Sequence, residues 1–260
     1  MGQNYVVLRR TPNWPNFDIE DTRAFLRNVG LPDDLIIDFA ERWNSVMAVN
    51  YLGYREAMKA IALESARNVR EATVISYEAL PALALADDDL LYFTDDDDWV
   101  SPNLFLRMRA AGPSGDGWRW LSVFVGRMFV DTPLQSAGGG VLQLRATTEI
   151  LYTNNYAATG AAWKRLGSNA LLEHGHAQRV FDSEDFKPQL LPDYLSAANK
   201  HLCSTVAIQF NSASASFNAD LRAGLAGIMA DADKEELDER VAWLCAPFRK
   251  FTHTNRRTLG

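Results

Sequence analysis

Cysteine is scarce in this chain: Cys203 and Cys245 are the only two among 260 residues. They lie far apart and match no metal-ligand spacing, so no cysteine-built zinc site is expected, and their apolar surroundings read as buried free thiols. No apolar run reaches the roughly 18 residues that a membrane-crossing helix needs, so no membrane span is expected. The first residues lack a secretory h-region, and Val6 stands where N-myristoylation wants Ser or Thr after Gly2. The expected compartment is a reducing cytoplasm. Positive charge is also short, with 26 Lys and Arg against 33 Asp and Glu and a formal charge of −7. A nucleic-acid partner, which needs a basic face, is therefore not expected. The chain has no Gly-x-x-x-x-Gly-Lys-Ser/Thr loop and no Gly-x-Gly-x-x-Gly turn, which argues against P-loop and Rossmann cofactor enzymes.

What remains is an ordinary globular composition, 47% hydrophobic and 23% charged, in a chain long enough to bury a substantial core. No repeat and no linker interrupts it. The simplest account is one α/β domain over 1–260: a first half, 1–110, a second half, 111–230, and a helical tail, 231–260. Tyr5-Val6-Val7-Leu8 reads as a strand, and Asp18 to Gly30 as a capped helix. A long helical region spans about 33–68, broken near Tyr51-Leu52-Gly53, and in its second part Ala57, Ile61 and Ala62 recur near the 3.6-residue period. Ala72 to Tyr77, Leu90 to Thr94, Leu121 to Phe129, Val141 to Arg145 and Ile150 to Tyr152 are further strand candidates. Tyr156 to Leu166 reads as a helix closed by Gly167. Asp231 to Phe248, with Leu237, Val241 and Leu244 at helical spacing, reads as an amphipathic helix packed on the body.

The most informative stretch is Asp95-Asp96-Asp97-Asp98, at the end of the apolar run Leu90-Leu91-Tyr92-Phe93-Thr94. Ser101 and Pro102 follow, a helix-start pair with Ser as N-cap and Pro at the first helical position. Like-charged carboxylates held in a turn repel one another unless a cation neutralises them, and Mg²⁺ or Mn²⁺ prefers such oxygen ligands. The plainer reading is a solvated acidic loop favoured by a helix dipole. Asp87, Asp88 and Asp89 form a second acidic run, but it precedes the strand and reads as a solvated connection without chemistry.

The segment Phe93-Thr94-Asp95-Asp96-Asp97-Asp98-Trp99-Val100-Ser101-Pro102 resembles the Asp-x-Asp strand end of GT-A-type glycosyltransferases. The resemblance covers the first half of the chain loosely and departs from the family in the long helical insertion before Val74. It implies a single GT-A-like domain, with a mixed, mainly parallel sheet flanked by helices and a C-terminal helix. It also implies Asp95 and Asp97 as ligands of Mn²⁺ or Mg²⁺ against the diphosphate of a nucleotide-sugar donor, with the first acid near the ribose. Asp96 and Asp98 make an equally valid pair. Arg9, Arg10 and Thr11 follow the first strand, where the family delivers its nucleotide-binding turn. Arg9, Thr11, Asp95 and Asp96 are therefore the expected donor-binding residues, while surface arginines after an edge strand are the alternative for the first two.

Further expectations follow from the same resemblance. His176, in Glu173-His174-Gly175-His176, is the candidate for a late histidine ligand to the metal, with a surface or capping histidine as the alternative and His201 as a further candidate. Asp185, in Asp182-Ser183-Glu184-Asp185, is the candidate general base for an inverting displacement. The stretch Thr153 to Ala157 and the nearby Trp163 suit a sugar pocket, because tryptophan faces match sugar C–H surfaces. Capping of a helix by Asn154 or Asn155 is the competing account. The implied activity is transfer of a sugar from a nucleotide-diphosphate donor to a glycan, lipid-linked or small-molecule acceptor. A metal-dependent nucleotidyltransferase or phosphohydrolase, or a non-catalytic carbohydrate-binding domain, stays open beside it.

Overall fold

Side chains alternate across the two faces of a strand, and β1 (Asn4–Arg9) and β3 (Leu90–Asp95) use both faces for core. In the computed structural model Tyr5, Val7, Leu91 and Phe93 fall in one apolar cluster, while Val6, Leu90 and Tyr92 fall in another. A strand buried on both faces reads as an unbroken apolar run, which is why Leu90 to Phe93 show no polar alternation. The structure describes residues 2–9, 23, 27, 56–112, 115–126, 141–145, 154–166, 186–200, 241–247 and 249–250.

β1 and β3 belong to a six-stranded sheet that also contains β2 (Thr73–Ser76), β5 (Gly117–Trp120), β8 (Tyr156–Thr159) and β9 (Pro188–Leu191). Its order is β2-β1-β3-β8-β5-β9. β1 runs parallel to β2 and β3, β8 runs antiparallel to both β3 and β5, and β9 runs parallel to β5. Five strands therefore point one way and β8 opposes them. The expected mixed, mainly parallel α/β sheet is present. On one face lie helix α1 (56–67), through Ala66, and helix α2 (Leu104–Ala110), through Leu104, Phe105 and Met108. On the other lie a 3₁₀ turn (Tyr77–Ala82), through Leu80, and helix α3 (Gly160–Leu166), through Ala162 and Trp163.

A second, four-stranded sheet has the order β4-β10-β6-β7, formed by β4 (Trp99–Val100), β6 (Ser122–Gly126), β7 (Val141–Arg145) and β10 (Ser196–Lys200). β3, β5 and β9 are co-directional, and each continues past its carboxyl end into this sheet, as β4, β6 and β10 respectively. The acidic turn is thus the connection from one sheet to the other. Near the C-terminus, Ala242–Leu244 is a 3₁₀ turn and the described residues of 245–250 are helical. Val241 and Leu244 are buried, and Trp243 Nε1 donates to the Tyr194 carbonyl at 2.9 Å, so this short helical segment packs on the body.

Several local expectations change. Tyr156 to Thr159 is strand, not the first turn of a helix; the helix starts at Gly160, where Thr159 Oγ1 accepts the Ala162 N–H. Ala157 and Ala158 favour helix locally, but pairing between β3 and β5 outweighs that preference. The Leu121 to Phe129 candidate begins earlier than expected. Gly117 already lies in a strand, and the backbone breaks at Leu121 as the chain changes sheets. A Cβ on Gly117 would stand 2.2 Å from the Ala157 carbonyl oxygen, so the close approach of β8 requires glycine there. Ser101 and Pro102 do not open a helix. The Ser101 N–H bonds the Leu195 carbonyl and α2 begins only at Leu104.

Asp89 is also not a solvated acid. It is buried, and its carboxylate accepts the backbone N–H groups of Gln3 and Ala86 at the start of β1 and β3, the sheet edge opposite the acidic turn. Cys245 is half-buried instead of buried, and Cys203 lies outside the described residues. No helix among the described residues is long and apolar enough to cross a membrane.

Candidate functional site

Parallel strands place their carboxyl ends along one edge, and the order β2-β1-β3 makes the gap between β1 and β3 a switch point. The chain leaves β1 for a neighbour on one side and returns to the other side. In open α/β sheets such a gap at the carboxyl edge is where ligands bind. Arg9 and Asp95 end the two strands there, directly in register. They share strand parity with Val7 and Phe93, so their side chains project to the same face. Arg9 Nη2 donates to Asp95 Oδ1 at 2.5 Å. Burial works against the Arg9 charge, but Asp95, aided by Asp98, outweighs it and the guanidinium pKa is raised. Burial also holds the neighbouring Tyr156 phenol above its usual pKa, although Arg9 pulls it down, so Tyr156 stays protonated near neutrality.

Beyond Asp95 the chain makes a tight turn, with the Asp98 N–H donating to the Asp95 carbonyl at 3.3 Å. That closure brings together Asp95, Asp97 and Asp98, each offering one carboxylate oxygen within 4.8 Å of the others. Asp98 is buried and doubly held. Its Oδ1 accepts the Asn199 backbone N–H and its Oδ2 accepts Asn154 Nδ2, both at 2.8 Å. Asn154 is steadied in turn by Ser196, whose hydroxyl donates to the Asn154 carbonyl and accepts Trp120 Nε1–H. Asp96 faces elsewhere, with Lys59 Nζ 3.4 Å from its Oδ2. The cluster is therefore Asp95, Asp97 and Asp98, and the alternative Asp96–Asp98 pair does not form within it.

The donor set fits a hard divalent cation. All three groups supply carboxylate oxygen, the ligand such ions prefer. An acidic triad at a strand tip of a mixed sheet is compatible with a DXD-type motif. Beside it, between α1 and the ends of β1 and β2, lies a cleft of about 360 Å³. Arg9 lines this cleft while also touching Asp95, so cleft and triad are contiguous.

Of the residues singled out by sequence, Arg9, Asp95, Asp96 and Asp97 stand at or beside this edge. Thr11, His176 and Asp185 lie outside the described residues, as do Arg10, His174 and His201. Asn154 and Asn155 cap no helix, since β8 follows them, and Asn154 instead grips Asp98. Trp163 belongs to an apolar core cluster. It is buried 5.3 Å from the Phe93 ring in the core. Trp163→Ala is expected to cost about 3–4 kcal/mol in urea unfolding through the cavity it leaves, with nucleotide affinity unchanged. A loss of affinity without loss of stability would restore the pocket role. Sequence reasoning missed Asn199, Lys59 and Arg67. Asn199 is 101 residues from Asp98 and carries no local signal, whereas Lys59, Leu63 and Arg67 recur every fourth residue and so share one stripe of α1.

Comparisons of the chain with protein-family models, with curated proteins and with solved structures gave no match.

Proposed function

We propose that this chain is a metal-dependent glycosyltransferase that moves a sugar from a nucleotide-diphosphate donor to a hydroxyl acceptor. One observation carries the reading: a half-buried arginine that lines an open cleft is paired with a triad of carboxylates at the switch point of a mainly parallel sheet. A diphosphate needs both kinds of group, because its oxygens bind guanidinium in a bidentate way while its remaining charge calls for a cation.

In this reading Asp95, Asp97 and Asp98 hold Mn²⁺ or Mg²⁺, which supplies charge stabilisation to the departing diphosphate. Asn154 and the Asn199 backbone fix the Asp98 carboxylate, so the triad keeps its shape before ligands arrive. Arg9 turns from Asp95 to the diphosphate oxygens. Thr11 as a further donor contact, His176 as a further metal ligand and Asp185 as the base that takes the acceptor proton belong to the same proposal.

The test is turnover without an acceptor. Purified protein with Mn²⁺ is expected to hydrolyse a nucleotide sugar slowly and release the nucleoside diphosphate, since water can replace a missing hydroxyl acceptor. Release of inorganic phosphate from simple phosphoesters, with no nucleotide-sugar binding, would move the assignment to a phosphohydrolase.

A further inference from the structure

The cleft beside Arg9 has two apolar sides and a polar rim of opposite charges. Leu8 and Val74 come from β1 and β2 and Leu63 from α1, while Asp96, Arg67 and Arg9 supply the charged groups. Arg67 and Lys59 lie one and two turns apart from Leu63 and Arg67 on the same stripe of α1, and Lys59 offsets the charge of Asp96 from 3.4 Å.

We infer that this cleft takes the guanine ring of a guanosine diphosphate, with Asp96 reading the base. The inference rests on the nucleotide-sugar reading above and goes beyond it by naming the nucleotide. Apolar walls suit the faces of a flat ring, so discrimination falls to the polar groups at its rim. A carboxylate is an acceptor with two oxygens, and two adjacent donors satisfy it best. Among the common bases only guanine offers that edge, through N1–H and the N2 amino group. Adenine and cytosine set a ring-nitrogen acceptor beside their amino groups, and uracil places its N–H between two carbonyls. Each of these would turn acceptor lone pairs toward one Asp96 oxygen. Guanine also carries O6 and N7 as paired acceptors, the arrangement that an arginine fork matches, and Arg67 stands in the same cleft.

The experiment is a calorimetric titration of the full chain, in Mn²⁺, with GDP, UDP, ADP and CDP, repeated on Asp96→Asn with xanthosine diphosphate added to the series. GDP is expected to bind about tenfold or more tightly than the other three. Asp96→Asn is expected to lose GDP affinity by a similar factor and to favour xanthosine diphosphate, because the new amide N–H₂ meets the C2 carbonyl that replaces the amino group. General damage to the cleft would weaken every ligand and produce no such gain. UDP, ADP or CDP binding as tightly as GDP overturns the guanine assignment and leaves the glycosyltransferase reading standing. Loss of GDP in Asp96→Asn without the gain for xanthosine diphosphate overturns the role of Asp96. Failure of all four diphosphates to bind in Mn²⁺ removes the glycosyltransferase reading, and this inference with it.

Discussion

Asp97→Ala is expected to abolish Mn²⁺-dependent binding of a nucleoside diphosphate while leaving the thermal midpoint within about 2 °C of the parent protein. The side chain is half-buried in a turn outside both apolar clusters, so its removal opens no core cavity. What it removes is one of three oxygens gathered within 4.8 Å. Two carboxylates hold a divalent ion far less well than three, and the diphosphate then meets the site without its counter-charge. Asp95→Ala should lose binding too, but at an added cost of about 1 kcal/mol, because it removes the carboxylate that pairs with the half-buried Arg9 guanidinium. Asp88→Ala, in the exposed connection before β3, should change neither quantity. Calorimetry with and without Mn²⁺, alongside a thermal melt, separates these outcomes. Metal-dependent affinity that persists in Asp97→Ala would show that the ion does not sit on the triad.

A larger structural effect is expected at Asp98. Asp98→Ala should lower unfolding stability by about 3 kcal/mol as well as removing metal-dependent binding. Two buried donors, the Asn199 N–H and Asn154 Nδ2, would lose their acceptor at once. Asp98→Asn tests the same point more gently. Its carbonyl can still accept one donor, but its amide N–H₂ faces the other, so its stability should fall between those of the parent and the alanine variant. Urea unfolding of the three proteins gives the ranking. An Asp98→Ala protein as stable as the parent would mean that the acidic turn does not depend on these bonds.

The triad answers to distant partners, and this limits what sequence reading can reach. Arg9 is 86 residues from Asp95, Asn154 is 56 residues from Asp98, and Asn199 is 101 residues from it. Four consecutive aspartates show that several carboxylates share a turn, but not which of them converge. That choice follows from the Asp95–Asp98 turn bond, from the side chains of Arg9 on β1 and Asn154 two residues ahead of β8, and from the Asn199 backbone on β10. The same turn sends Asp96 toward Lys59 on α1, so one acidic run serves two neighbouring surfaces. Trp163 shows the opposite error: its ring chemistry suits a sugar, but the ring's position against Phe93 makes it core.

By itself the sequence determined the local elements whose signal is carried by neighbouring residues. β1 and β3 could be read from their apolar runs, the last turns of α1 from the 3.6-residue period, and the acidic strand tip from its own letters. These signals are local because side-chain alternation and helical periodicity act within a few residues. Only the tertiary structure decided that Tyr156 to Thr159 is a strand, that Asp89 is a buried anchor and Asp98 a gripped one, and that the acidic turn joins two sheets. Each of these depends on which strand pairs with which, and strand pairing is settled by the burial of whole faces across the chain, where a single segment's preference is outweighed.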